Sequence, residues 1–151
     1  MKIILTAWIL AVLPLQVFAL DPSCKGCGAG KLMLQCDYYV AKQGDMSRQH
    51  LCEEYAKIVD IDGASAKAAW YYLLAGKPQK AFDAAIKALK QGQTFAAGYA
   101  AQAMTIMDNP EKAKQYLSQF TNGVEERDYF EKEVSTLRKI YPSIDFSILS
   151  N

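Results

Sequence analysis

The chain has 151 residues, 51% of them hydrophobic and 22% charged, with 17 Lys and Arg against 16 Asp and Glu. That length suits one domain with a real core and is too short for two. The even charge balance supplies no basic field to hold a polyanion, which argues against nucleic acid as a partner.

The first segment reads as a secretory signal peptide over residues 1–19. Met1 and Lys2 form a short basic start, and Ile3 to Leu13 is a nearly unbroken apolar run. Pro14 breaks that run, and Val17-Phe18-Ala19 offers small residues at the spacing a signal peptidase reads. The run is too short to cross a bilayer core of about 30 Å. Cleavage near Ala19 removes the one cation Lys2 and leaves a mature chain of zero formal charge. The expected destination is the periplasm or the secreted space, with no membrane insertion after cleavage.

Four cysteines, Cys24, Cys27, Cys36 and Cys52, follow. An even count in an exported chain predicts two disulfides. Helices are expected over Leu32 to Lys42 and Arg48 to Val59, with Gln43 to Met46 as the turn and Ser47 as the cap of the second. Cys36 and Cys52 then stand at equal distances from the turn and face each other, so they are paired, which leaves Cys24 with Cys27. Crossed pairings stay open, because "SCKGCGAG" is flexible enough to fold back over the hairpin.

Punctuation beyond that point is regular. Gly63 opens a helix over Ala64 to Ala75, and Gly76-Lys77-Pro78 closes it with Pro78 placed for the first turn of the next. Gly92 ends that helix. Thr94 is placed to cap Phe95 to Met107. Asp108-Asn109-Pro110 repeats the turn chemistry, with Asn109 as N-cap. Thr121-Asn122-Gly123 is the next break. Glu125 to Tyr141 is the last helix, acidic early and carrying Arg138 and Lys139 late, as the helix dipole favours. Its charged run "EERDYFEKE" reads as a solvated face. Pro142 stops it, and "SIDFSILSN" has enough apolar residues to lie back on the body.

An internal repeat runs through these elements. "GKPQKA" begins at Gly76 and "DNPEKA" at Asp108, 32 residues later. Another 32 residues back stands Gly44, in "YYVAKQGD". A period of this size built from helix pairs indicates a stacked solenoid, because one hairpin cannot cover its own apolar face. Small residues at helical spacing (Ala68, Ala69, Ala81, Ala85 and Ala88, then Ala97, Ala101 and Ala113) let the helices approach. Tyr72, Leu89, Met104 and Leu117 fill the spaces between units. The domain plan is thus 1–19 signal, 20–62 a Cys-rich segment with a degenerate hairpin, 63–122 two hairpins, and 123–151 a capping helix and tail.

Ala69, Tyr72, Gly76, Ala81, Ala88 and Leu89 in the middle unit resemble the tetratricopeptide repeat. Ala101, Ala113 and Phe120 match it more loosely in the next unit, and Tyr39 and Gly44 in the first. The 32-residue interval is shorter than that repeat's length of about 34. A short Sel1-like relative or an unrelated helical bundle are the alternatives. The resemblance implies an all-α fold, a short right-handed solenoid of about three helical hairpins plus a C-terminal capping helix. It also implies that the first helix of each unit lines a concave groove. Carried over by position, that surface holds Tyr38 and Ala41, then Trp70 and Leu73, then Phe95, Gln102 and Thr105. Trp70 serves as the aromatic anchor or packs on the neighbouring helix. In each of the pairs Tyr38-Tyr39 and Tyr71-Tyr72, one ring is expected inward and the other outward.

Chemistry is scarce by comparison. "CKGC" is a redox dithiol candidate, but no strand precedes it, and Gly26 and Gly28 make it a loop. A structural disulfide is the plainer reading. Zinc would need a second matching pair, and a c-type haem would need His where Gly28 stands. His50, the single histidine, reads as a surface residue, and Met104 and Met107 as core fillers. No cofactor or metal is expected. The leading expectation is an exported, non-enzymatic protein holding a protein or peptide partner in its groove. The alternatives are a periplasmic immunity protein that neutralises a toxin, and a thiol-disulfide oxidoreductase using Cys24 and Cys27.

Overall fold

A computed structural model describes residues 28–120 and 124–150. The signal segment and the Cys24–Cys27 pair lie outside the described residues. The described chain is all-helical, with seven α-helices and no strand.

Helix α1 spans Ala29–Cys36 and continues without a break into a wider π-helical segment, Asp37–Lys42. Asp45, not Ser47, then caps the next element. Its carboxylate accepts from the Ser47 amide at 3.1 Å and from the Ser47 hydroxyl at 2.6 Å. A carboxylate two residues ahead of those donors outcompetes a neutral hydroxyl as acceptor. The capped element is a short 3₁₀ turn, Met46–Arg48, which leads into α2, Gln49–Ile61. Across this hairpin Cys36 and Cys52 form the expected disulfide, with Cα atoms 5.0 Å apart and both side chains fully buried.

Helices α3 (Ser65–Leu74), α4 (Pro78–Lys90), α5 (Ala96–Ile106) and α6 (Pro110–Leu117) follow. Pro78 and Pro110 each open a helix, as expected, and the Asn109 side chain accepts from the Lys112 amide at 3.2 Å. Thr94 does not cap α5; that helix starts at Ala96 with no side-chain cap, behind the turn bonds Ala96 N to Gln93 O and Ala97 N to Thr94 O.

The three within-hairpin turns share one device. Gly44, Gly76 and Asp108 all take the left-handed conformation, with φ of 72°, 71° and 55°. The next amide in each case bonds back to the end of the preceding helix. Lys77 N reaches Tyr72 O and Asn109 N reaches Met104 O, both at 2.9 Å, while Asp45 N reaches Tyr39 O at 2.8 Å. The bond from Asp45 N spans one residue more than the other two, which is the extra residue of the π segment.

Helices α2 to α6 pack chiefly on their neighbours in sequence. Their small residues are buried to the last atom, among them Ala68, Ala69, Ala81, Ala85, Ala97, Ala101 and Ala113. Removing such surface from water, at about 25 cal/mol per Å², stabilises the pile more than any polar contact. Helices α2 and α4 meet water on their outer sides, where Lys80 pairs with Glu53 at 2.8 Å and Lys87 with Asp60 at 2.9 Å.

Helix α7, Val124–Ile140, breaks the sequential order. Rather than closing only the far end, it lies against the π segment and α3, and its side chains reach α5. Phe130 packs on Gly98, where an added Cβ would sit 3.1 Å from the ring. The tail folds back as expected. Phe146 and Leu149 are buried, the 3₁₀ turn Ser147–Leu149 packs on α5 and α6, and Arg138 Nη2 donates to Ser150 Oγ at 2.9 Å.

Candidate functional site

Helix α7 covers much of the face made by the first helix of each pair, and this decides where the expected groove residues lie. Leu73 and Gln102 are fully buried and Thr105 nearly so. The Leu73 carbonyl accepts from the Tyr141 hydroxyl at the end of α7. The Gln102 amide points at the Glu133 carboxylate, 3.5 Å away, and the Thr105 hydroxyl donates to the Ala101 carbonyl at 2.9 Å. These three residues hold the C-terminal helix and the core. Tyr38, Trp70 and Phe95 keep contact with solvent: Tyr38 is 47% exposed, Phe95 is 44% exposed, and Trp70 is half-buried.

Trp70 and Phe95 are joined by a residue the sequence reading passed over. The Tyr99 ring stands 6.4 Å from each of theirs, tilted against Trp70 and edge-on to Phe95. Exposed Tyr129, on α7, extends the same strip. Two cavities open beside it and share Phe95, Tyr99 and Tyr129. One, of about 560 Å³, runs between the π segment and α3, past Asp37, Lys67 and Trp70. The other, of about 390 Å³, lies between α5 and α7, with Gly98, Phe120, Phe130 and Glu133 in its lining.

The tyrosine pairs divide differently from each other. Tyr38 is exposed and Tyr39 half-buried, as expected for a split pair. Tyr71 and Tyr72 are both buried, against expectation, because α3 is enclosed on both flanks. The Tyr71 hydroxyl donates to Asp37 at 3.0 Å, and its ring meets Tyr55 edge-on at 4.5 Å. Burial raises the Asp37 carboxyl, while the Tyr71 hydroxyl and the Lys67 charge hold it down.

Glu133 carries the unusual electrostatics. Within a charged run whose sequence reads as a solvated face, Glu133 is only 6% exposed. Its carboxylate accepts from the Tyr99 hydroxyl at 2.9 Å and more distantly from Gln102. Burial pushes its pKa up to about 7, and those two hydrogen bonds only partly oppose the shift. Burial beside this carboxylate also raises the Tyr99 phenol. The signal was present in the sequence. Phe130, Val134 and Leu137 form a buried stripe at helical spacing, and Glu133 lies three residues after the first and four before the last.

His50 is exposed, as expected. Met104 is in the core and Met107 packs partly buried against it. No helix among the described residues is long and apolar enough to cross a membrane, and no group of three or more His, Cys, Asp and Glu side chains converges on a metal site there. Comparison with protein-family models, with curated proteins and with solved structures gives no match.

Proposed function

We propose that this chain is an exported, non-enzymatic binding protein of the helical-repeat kind, built like a short tetratricopeptide-type stack, that holds a protein or peptide partner. The observation that carries the reading is the aromatic strip Trp70–Tyr99–Phe95, which lies beside α7 on the face formed by the first helices and is extended by Tyr129 of α7 itself. Aromatic side chains set in clefts are the usual anchors of binding surfaces. The left-handed turns at Gly44, Gly76 and Asp108 support the repeat reading by their common spacing. The Cys36–Cys52 disulfide supports an oxidising compartment, the periplasm or the secreted space.

In this reading α7 fills part of the groove from within the chain, and the partner takes the remainder. The test is affinity capture from envelope extract with the native chain and with Trp70→Ala. The native protein retains a partner that the variant loses while its circular dichroism stays native. Identical capture by both proteins contradicts the assignment.

A further inference from the structure

The cavity between α5 and α7 has a chemistry more specific than an apolar cleft. Its walls are the rings of Phe95, Tyr99, Phe120, Tyr129 and Phe130, and Gly98 lies in its lining where the Phe130 and Phe120 rings pack against it. Among the described residues, the charged groups in its lining are the carboxylates of Glu126 and Glu133, with no Lys, Arg or His. Its volume of about 390 Å³ falls within the range of about 300 to 1,000 Å³ usual for small-molecule pockets.

Glu133 is the decisive element. Its side chain is more than nine-tenths buried, and none of the ion pairs among the described residues includes it. Its partners are a neutral phenol and a neutral amide, the latter at 3.5 Å. A buried carboxylate with no counter-cation is costly, and a cation brought against it recovers much of that cost. The surrounding rings present the negative faces that attract ammonium groups. An anionic ligand would be repelled by the Glu133 carboxylate, and a neutral one would leave Glu133 without an ion. The larger cavity is different in kind, because it supplies its own cation: Lys67 lines it and lies 5.5 Å from the Tyr55 ring centre.

We propose that the α5–α7 cavity is a binding site for an organic cation, an ammonium group carried on an apolar or aromatic body, with Glu133 as its counter-ion and the Tyr99, Phe120 and Phe130 rings as its cage. The ammonium sits near the Glu133 carboxylate and the apolar body fills the space toward Phe95 and Tyr129. Such a group arrives as a free amine or as a lysine side chain of a peptide, and both present the same chemistry.

The test uses the mature, disulfide-intact protein in calorimetry at pH 7.5. The probes are 2-phenylethylammonium, its neutral isostere 2-phenylethanol, its anionic isostere phenylacetate, and a capped Gly-Lys-Gly tripeptide. The ammonium should bind at least tenfold more tightly than the alcohol, and the carboxylate should not bind. Glu133→Gln, which keeps the shape and the Tyr99 hydrogen bond, should remove the preference for the cation. A measurement on the native chain guards against a variant that does not fold: nuclear Overhauser contacts from 2-phenylethylammonium should fall on the Tyr99, Phe120 and Phe130 rings. Binding of the amine alone assigns a small-molecule ligand, and comparable binding of the tripeptide assigns a lysine side chain; either supports the site. Equal affinity for amine and alcohol, no binding at millimolar concentration, or contacts confined to other surfaces overturns it.

Discussion

The hydroxyl of Tyr141, at the end of α7, donates to the main-chain carbonyl of Leu73, at the end of α3, 68 residues earlier. This bond ties the last helix to the centre of the molecule, and burial pushes the Tyr141 phenol up to about 12. Together with Phe130 on Gly98 and Glu133 on Tyr99, it makes α7 part of the first-helix face. Tyr141→Phe removes the bond and keeps the ring. Urea denaturation should show a loss of about 1 kcal/mol, the usual net worth of one hydrogen bond. Hydrogen exchange should quicken in α7 before α3. A variant as stable as the parent would show that α7 is held by apolar contacts alone.

The pH dependence of stability follows from Glu133. Its folded pKa of about 7 lies above the ordinary 4.5, so the folded protein binds this proton more tightly than the unfolded chain does. Its contribution is complete below about pH 4.5 and is lost as pH rises toward 7. A rise of this size corresponds to a loss on the order of 3 kcal/mol. Tyr99, the other titrating group in contact with it, is raised and stays neutral throughout that window. The lowered groups Glu53 and Asp145 act in the opposite sense, and only below the ordinary carboxylate range. Urea unfolding at pH 5 and pH 8 should therefore show the native chain losing stability at the higher pH, and Glu133→Gln losing much less. Parallel losses in both would contradict the assignment.

How far this arrangement was legible in the sequence depends on the range of the forces involved. Gly76, Pro78, Asn109 and Pro110 act within a few residues of themselves, and the turns stand where they imply. The Cys36–Cys52 pairing is legible for the same reason, because both positions are fixed by one local turn. The position of α7 was not readable, because it depends on Gly98 meeting Phe130 across the fold. Local charge then misled: Glu125 to Glu133 is dense in ions, which conceals the phase of Phe130, Val134 and Glu133. Helix α5 is buried almost all round, so no polar stripe marked Gln102 and Thr105 as interior.

The two later hairpin turns offer a matched pair of substitutions. Gly76 has φ of +71°, and a Cβ there would sit 3.0 Å from the Gln49 amide nitrogen, which itself donates to the Leu74 carbonyl. Gly76→Ala should cost about 1–2 kcal/mol, the penalty of a left-handed residue with a side chain. Asp108 bears that strain already at φ of 55°. Asp108→Gly should therefore raise stability by roughly 0.5–1 kcal/mol. Thermal unfolding of both variants reads the two signs, and a destabilised Asp108→Gly would show that the two turns are not equivalent.

The disulfide is expected to act through the unfolded chain. Cys36 and Cys52 are separated by 16 positions, and closing a loop of that size is worth about 3 kcal/mol. The Cys36→Ala, Cys52→Ala double variant should lower the urea midpoint by the corresponding amount while the far-ultraviolet spectrum stays helical. An unchanged midpoint would mean that apolar packing alone holds the first hairpin.

Hydrogen exchange of the protein with its captured partner bound shows where that partner sits. New protection should concentrate in residues 64–75, 93–99 and 126–133, around Trp70, Phe95, Tyr99 and Tyr129. Protection confined to the outer sides of α2, α4 and α6, with the aromatic strip exchanging as in the free protein, would contradict that placement.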